Sequence, residues 1–570
     1  MSAFTRIQSR VVGYSVAGGS TATAVVTLCL LYAIGVGVIQ LAGGAPFGYP
    51  LDDTYIHMDI GRTIATSGVW GLNPGSPAAA SSSPLWSLLL TGMYSLNLGD
   101  AFLYVPLLLD MAAGCALVWL LVEIFETQPH SIALVAAIAF AAALPSLSVL
   151  GMEHVLHTFL AVALCHTACR RLASGGGSGT LRQSAWIGML SALAVAVRYE
   201  SLFLVAPLAL LALLRWRPGL FTALFLGAAL PVFGFGLYWI YHGGWLLPNT
   251  LLVKTDITSV TGVIPAIDLA ISQTLRNFRL APAREAFDAM LAALVGFLVW
   301  RMVQGKRLWD LPVLFGLCAL AATLGHFAFA SVGWLYRYES WLIVLDLTAI
   351  GLLSGAVLNR RMALLLAAVI VGVFAFRTMA AGYRTSQAID DRRFEHLTPA
   401  RFVDSFYPGQ TVMVNDIGAV TWYAPRTRLL DIYGLGNNEP VRFRLAPGGY
   451  DKTALRDWAN QTGTSIAIVQ PCWPEVSARI PDEWSLVATW EIPRNVVFEY
   501  KLIAFYAVAP GARERLRQEL GAFPMPAGMK STLDPPASEI ANLCESGSSR
   551  RPFKNKIAAD KPRTSLASAP

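Results

Sequence analysis

Asp52 and Asp53 stand side by side just beyond an apolar run at 22–44, and His57 and Asp59 follow within two turns. Adjacent carboxylates at a lipid–water boundary anchor poorly, but they suit a general base or a ligand for a hard cation. If 53–66 is a helix capped by an Asp, Asp53 and His57 share one face through their i, i+4 spacing, and Ile56, Ile60 and Ile64 line an apolar stripe beside them. Such a helix is expected to lie in the membrane interface. Simple capping accounts for one of the two acids and leaves the rest of the cluster unexplained.

More ionisable groups fall at other helix ends on the same expected side. Gly151-Met152-Glu153-His154, with His157 one turn on, opens one apolar run, and Arg198 and Glu200 occupy a tight turn between two others. Ionisable groups near membrane depth are costly and tend to be paired or functional. Arg198 with Glu200 reads as a structural ion pair or as part of a binding site. Glu153, among apolar neighbours, reads as a second acid facing the Asp pair; His154 and His157 read equally as satisfied interfacial histidines. Leu247-Pro248-Asn249-Thr250 with Lys254, and Tyr336-Arg337-Tyr338, complete the set. Lys offers a compact charge and Arg a planar fork, so the two suit a phosphate at the membrane surface. The aromatic residues alone read as belt anchors.

The elements that position these residues are read from composition. The chain has 570 residues, 55% hydrophobic and 14% charged, with a mean hydropathy of +0.52, which excludes an ordinary soluble domain. A span needs about 20 mostly apolar residues. Runs near 22–44, 102–122, 131–150, 153–170, 184–198, 201–216, 219–242, 287–304, 309–330, 334–356 and 361–381 meet or approach this, giving about 11 transmembrane helices. The net charge of +7 lies largely in short loops, where it sets topology, so no nucleic-acid role is assigned. Arg170, Arg171, Arg182, Arg215, Arg217, Arg301, Lys306, Arg307, Arg360 and Arg361 are expected to be cytoplasmic. The loops 45–84 and 243–286 and everything after 381 are then expected to lie outside. Residues 85–98 are apolar but short and are expected to form a partial or re-entrant helix.

After about residue 385 the pattern becomes that of a small extracytoplasmic α/β domain, spanning 385–545 after a membrane part at 1–384. Strands are expected at 411–414, 429–432, 465–469, 485–490 and 496–506, and a helix at 452–460. Residues 546–570 have the composition of a disordered tail. Cys472 and Cys544 can pair if their compartment is oxidising, whereas the other five cysteines fall in or beside spans as packing residues.

Together the motifs resemble the GT-C superfamily of membrane glycosyltransferases. The resemblance is carried by Leu51-Asp52-Asp53-Thr54-Tyr55-Ile56, Asn73-Pro74-Gly75, Ser83-Pro84-Leu85-Trp86, Gly151-Met152-Glu153, Arg198 with Glu200, Leu247-Pro248-Asn249-Thr250 with Lys254, and Tyr336-Arg337-Tyr338. In this order they look most like terminal β-(1→2)-arabinofuranosyltransferases, although Thr54 and His154 replace the small residue and the Thr usual in that pattern. The resemblance implies an inverting glycosyltransferase of the bacterial cytoplasmic membrane. It would use a polyprenyl-phosphate-linked sugar, and a cell-envelope glycan, glycolipid or glycoprotein as acceptor. Asp52 or Asp53 would be the base, with Asp52 favoured by analogy, and His57, Glu153, Arg198, Glu200, Asn249, Lys254, Tyr336 and Arg337 would bind donor or acceptor. A divalent cation (Mg²⁺, Mn²⁺ or Ca²⁺) shared by Asp53 and Glu153 is compatible with these ligands but not required by them. The competing reading is a transporter or lipid-linked-sugar flippase. It predicts acids and cations spread near the bilayer midplane and an inverted repeat, and the sequence shows neither.

Overall fold

The computed structural model of this chain describes residues 18–44, 46–126, 131–174, 181–254, 263–355, 358–497 and 500–547. Every one of the eleven apolar runs contains a helix, and these helices pack around one continuous apolar core. Among the described residues, six helices are long and apolar enough to cross a membrane, and four further apolar helices, such as Leu181–Val197 and Ser340–Ser354, have 10–17 residues. The run at 131–150 is not one helix. It breaks after Ala141, where Ala143 adopts a φ of 54° and turns the chain into a short Leu144–Val149 helix. Two contacts join expected cytoplasmic loops at one end of the bundle: Arg217 donates to the Ser174 carbonyl at 3.1 Å, and Arg215 stacks on Trp309 at 4.5 Å.

The Pro84–Tyr94 helix has 11 residues. At about 1.5 Å rise per residue it is roughly half of the ~30 Å hydrocarbon thickness, so it cannot cross. The Asp52–Ser67 helix departs from expectation in two ways. Its N-cap is Leu51 and no side chain caps it, so neither aspartate is used as a cap. Nor is its apolar stripe left to the lipid interface: Ile56 and Ile60 are buried in the core of the C-terminal domain, with Ile64 packed beside them. The reason is tertiary. An apolar stripe buries wherever a complementary surface is available, and the C-terminal domain supplies one.

The connection between the two parts is a helix, not a loop. Arg360–Arg392 runs for 33 residues, passes without a break into a π-helical turn at Arg393–Leu397 and ends in Thr398–Phe406. Isolated π-helical turns of this kind are rare and frequent at functional sites.

The C-terminal domain holds a six-stranded sheet, β1 (Thr411–Val414), β2 (Arg428–Asp431), β3 (Thr464–Val469), β4 (Ser485–Glu491), β5 (Leu502–Ala507) and β6 (Lys530–Leu533), in the order β2-β1-β3-β5-β4-β6. β1 pairs parallel with β2 and β3; the remaining pairs are antiparallel. Five strands and the Lys452–Gln461 helix follow the sequence pattern, while β6, an exposed edge strand without an apolar run, does not announce itself. Cys472 and Cys544 form a disulfide, with a Cα–Cα distance of 5.1 Å. Of the expected tail, residues 548–570 lie outside the described residues.

Candidate active site

The two neighbouring aspartates point to different parts of the molecule, because successive residues of a helix are rotated by about 100°. Asp53 faces the bundle. Its Oδ2 accepts from Arg337 Nη2 at 2.6 Å, and its Oδ1 lies 3.7 Å from Lys254 Nζ. Burial opposes its charge, yet Lys254 and Arg337 outweigh burial and hold it well below the usual carboxylate range. Asp52 faces the C-terminal domain. Its carboxylate accepts from the backbone N–H of Gly418 at 2.7 Å and of Ala419 at 2.6 Å. Burial first, and then the nearby Asp416, push it well above the ordinary value. One dipeptide thus carries two carboxylates with opposite tendencies.

Around Asp53 the sequence-predicted residues do converge. Glu153 accepts from Arg198 Nη1 at 2.6 Å, and its other oxygen lies 3.6 Å from His57 Nε2. Arg198 also pairs with Glu200. His57 Nδ1 reaches Ser81 Oγ at 3.1 Å, and burial lowers its basicity. Glu153, which the sequence sets among largely apolar neighbours, thus finds its partner in space: helix packing brings Arg198, 45 residues on, against it. His157 is a satisfied polar group, bonded to Ser201 Oγ at 2.9 Å. His154 lies 3.4 Å from Arg198 and against the ring of Tyr338.

Two of the expected residues have other work. Tyr336 turns away from the site, its carbonyl accepting from Arg377 and its ring lying over that guanidinium at 5.5 Å. Its place is taken by Tyr338, whose hydroxyl accepts from Arg337 at 3.0 Å and whose ring lies near both Arg337 and Arg198. The cause is three consecutive left-handed residues, Trp334, Leu335 and Tyr336, with φ of 47°, 55° and 62°. Each costs about 1–2 kcal/mol for a residue with a Cβ. The turn is held by Glu339, which accepts from Gly333 N at 2.8 Å and pairs with the fully buried Arg377 at 2.9 Å. Asn249 is fully buried and donates to Asn438 Oδ1 at 3.0 Å. It fastens the Asn249–Lys254 helix to the C-terminal domain and so positions Lys254.

Gly151 has a φ of 65°, and a Cβ there would meet the Tyr49 ring at 2.3 Å, so the Gly-Met-Glu motif needs its glycine to seat Glu153. Gly418 is tighter still in effect. A Cβ would meet the Asp52 carbonyl oxygen at 2.3 Å and Ile56 Cγ1 at 2.7 Å. Gly418→Ala is accordingly expected to force the two parts apart and to cost about 1–3 kcal/mol, the range for overpacking. A fall in the thermal-unfolding midpoint together with a fall in turnover checks this; an unchanged midpoint would contradict the packing described.

Of the metal pair expected from sequence, Asp53 is engaged by Arg337 and Glu153 by Arg198. Among the described residues, the set of three whose ligand atoms come together is Asp52, His396 and Asp416, all within 4.8 Å of one another. Sequence reasoning missed His396 and Asp416. Both lie outside the apolar runs, and nothing in Asn415-Asp416-Ile417-Gly418-Ala419 tells that the end of β1 meets Asp52. Asp431, at the end of β2, is structural: it accepts from the backbone N–H of Tyr433, Leu435 and Gly436 and so shapes the loop beside Asn437 and Asn438.

The architecture is thus a helical bundle, with paired acids at the start of the Asp52–Ser67 helix, followed by a C-terminal mixed sheet. Among solved structures it is similar to ArnT from Cupriavidus metallidurans in the apo state, with 13% identity over 86% of this chain and 99% of that one at a TM-score of 0.50. It is also similar to the same protein bound to undecaprenyl phosphate, with 14% identity, coverage of 85% and 98%, and a TM-score of 0.47. A third similar structure is the oligosaccharyltransferase of Archaeoglobus fulgidus in complex with Zn and sulfate, with 11% identity, coverage of 82% and 72%, and a TM-score of 0.45. Residues 385–509 match a family described as "Domain of unknown function (DUF8728)". No curated protein matches the chain.

Proposed function

We propose that this chain is an inverting glycosyltransferase that takes a sugar from a polyprenyl-phosphate donor at the non-cytoplasmic face of a bacterial cytoplasmic membrane. The observation that carries the proposal is the convergence of Lys254 and Arg337 on Asp53, beside the seam between bundle and C-terminal domain. Two cations around one carboxylate form a site that an incoming phosphate can share. The acceptor hydroxyl oxygen attacks the anomeric carbon, the bond from that carbon to the phosphate oxygen breaks, and the hydroxyl proton passes to a carboxylate. Lys254 and Arg337 stabilise the charge on the departing polyprenyl phosphate.

Asp53 is assigned as the base, since it adjoins the phosphate cations, and Asp52 as the group that docks the C-terminal domain. A carboxylate held by two cations is a weak base. A donor phosphate that draws those cations to itself restores its basicity at the moment of need. This gives a pH signature. In the free enzyme Asp53 titrates well below its ordinary range, and kcat/KM reports free-enzyme groups whereas kcat reports the bound complex. The acid limb of kcat is therefore expected at higher pH than the acid limb of kcat/KM, by about one unit or more. Coincident limbs in a pH series would argue against cation sharing.

Arabinofuranose is the sugar to which the sequence resemblance points, and a cell-envelope glycan, glycolipid or glycoprotein is the acceptor class. His57, Glu153, Arg198 and Glu200 form the polar wall available to the sugar or acceptor hydroxyls. Reconstituted vesicles supplied with labelled polyprenyl-phosphate pentose test the proposal. Donor-dependent covalent labelling of an acceptor supports it, and counterflow of intact donor without transfer would instead make the protein a transporter.

A further inference from the structure

The three parallel strands of the C-terminal sheet lie in the order β2-β1-β3. The chain leaves β1 to one side to form β2 and returns on the other side as β3, so a crevice opens beyond the carboxyl ends of β1 and β3. In open α/β sheets such a switch point is where ligands bind. Here that crevice is lined by Asp416, just after β1, and Gln470, just after β3, and it is closed from the bundle side by Asp52. His396, on the π-helical turn, completes it with Nε2 at 3.6 Å from Asp416 Oδ2.

We infer that Asp52, His396 and Asp416 form a divalent-cation site that ties the C-terminal domain to the helix carrying the catalytic carboxylate. One ligand atom from each lies within 4.8 Å of the others, so a small inward movement of the side chains lets a single ion, at about 2.0–2.2 Å from each, bridge them. The three come from separate segments: the start of the Asp52–Ser67 helix, the π-helical turn and the β1 loop. An ion there would staple three elements that otherwise meet by packing, hydrogen bonds and the His396–Asp416 pair. Two buried side chains at the same place each leave one polar atom without a partner among the described residues. Gln470, 2% exposed, reaches Asp416 Oδ2 with Nε2 at 3.3 Å while its Oε1 bonds to nothing among the described residues. His396, 3% exposed, likewise has an unpartnered Nδ1. The orientation of a side-chain amide is assigned from its bonding network, so reversing the Gln470 amide presents an oxygen toward the Asp416 carboxylate, where an ion would accept it.

The donor set chooses the ion. Two carboxylates and one imidazole suit Mn²⁺ or Zn²⁺ better than Ca²⁺ or Mg²⁺, whose sites are built from oxygen alone. Two carboxylates with one neutral imidazole also balance a double positive charge. Gly418 and Ala419 N–H bond the Asp52 oxygens at 2.7 and 2.6 Å and fix the direction in which its remaining lone pairs point. This inference concerns binding and is independent of which carboxylate acts as base.

The test uses the full chain in detergent or nanodiscs, stripped with a chelator and titrated with Mn²⁺ and, separately, Zn²⁺. Bound metal is counted by mass spectrometry, and the Mn²⁺ sample is read by pulsed electron paramagnetic resonance for coupling to a histidine nitrogen. Retention of about one ion per chain is expected, with that coupling present. His396→Gln and Asp416→Asn are each expected to weaken binding at least about tenfold and to abolish or displace the coupling, whereas Glu153→Gln leaves both unchanged. Elution as a monodisperse species certifies each variant, and the nitrogen coupling of the unaltered chain does not depend on any variant. Absence of saturable binding of either ion, or binding unaffected by both substitutions, or binding lost only in Glu153→Gln, would overturn the inference.

Discussion

Asp53→Asn is expected to lower transfer by at least about 100-fold while leaving a folded protein at normal abundance, the scale for removing a general base. The substitution keeps the side chain's size and hydrogen-bonding reach and removes only its capacity to take a proton at neutral pH. Arg337, 2% exposed, loses a charged partner but retains the Tyr338 hydroxyl at 3.0 Å and that ring beneath its guanidinium. Asp52→Asn is expected to lose activity by a different route. Its carboxylate accepts two backbone N–H groups, and an amide sets a donor against one of them. That costs about 1–3 kcal/mol, the penalty for a buried group left unsatisfied. Turnover measured beside thermal unfolding separates the two: Asp53→Asn loses turnover at a near-constant midpoint, and Asp52→Asn loses both. Wild-type turnover in Asp53→Asn would remove it from the chemistry.

The second large effect is expected at Arg337. Arg337→Lys keeps the charge and loses the fork that reaches Asp53 Oδ2 at 2.6 Å and Tyr338 at the same time. A Lys ammonium at the end of a shorter stem cannot span both partners. A loss of about 100- to 1,000-fold in kcat/KM is expected, the range found when one charge-stabilising donor is removed from a transition state. Lys254→Ala should cost less, about tenfold, because this ammonium is 39% exposed and 3.7 Å from its partner, where water replaces part of its effect. Steady-state kinetics with varied donor concentration checks the ranking. Equal losses at the two positions would mean that charge alone, without geometry, holds the phosphate.

How much of this was legible beforehand depends on distance along the chain. Local periodicity placed the apolar helices and five of the six strands, because a helix or strand must show its buried face in its own residues. The i, i+4 relation of Asp53 and His57 was likewise local, and both do face the polar cluster around Glu153. The choice between Tyr336 and Tyr338 was not local. It rests on three left-handed residues that are tolerated only because Arg377, on a helix forty residues later, holds Glu339 and the turn in place. The partner of Glu153 was hidden in the same way, since Arg198 meets it only when two helices pack.

The residues themselves determined a multi-pass apolar bundle, a polar α/β appendage and a row of acids and cations at helix ends, because hydropathy and side-chain chemistry are properties of each segment alone. Tertiary structure decided what the two aspartates do. Packing turns Asp53 toward Lys254 and Arg337 and seats the end of β1 on Asp52, so that identical neighbours acquire opposite affinities for a proton. Electrostatic environment is set by what lies within a few ångströms in space, and for these two side chains most of that comes from residues more than 200 positions away.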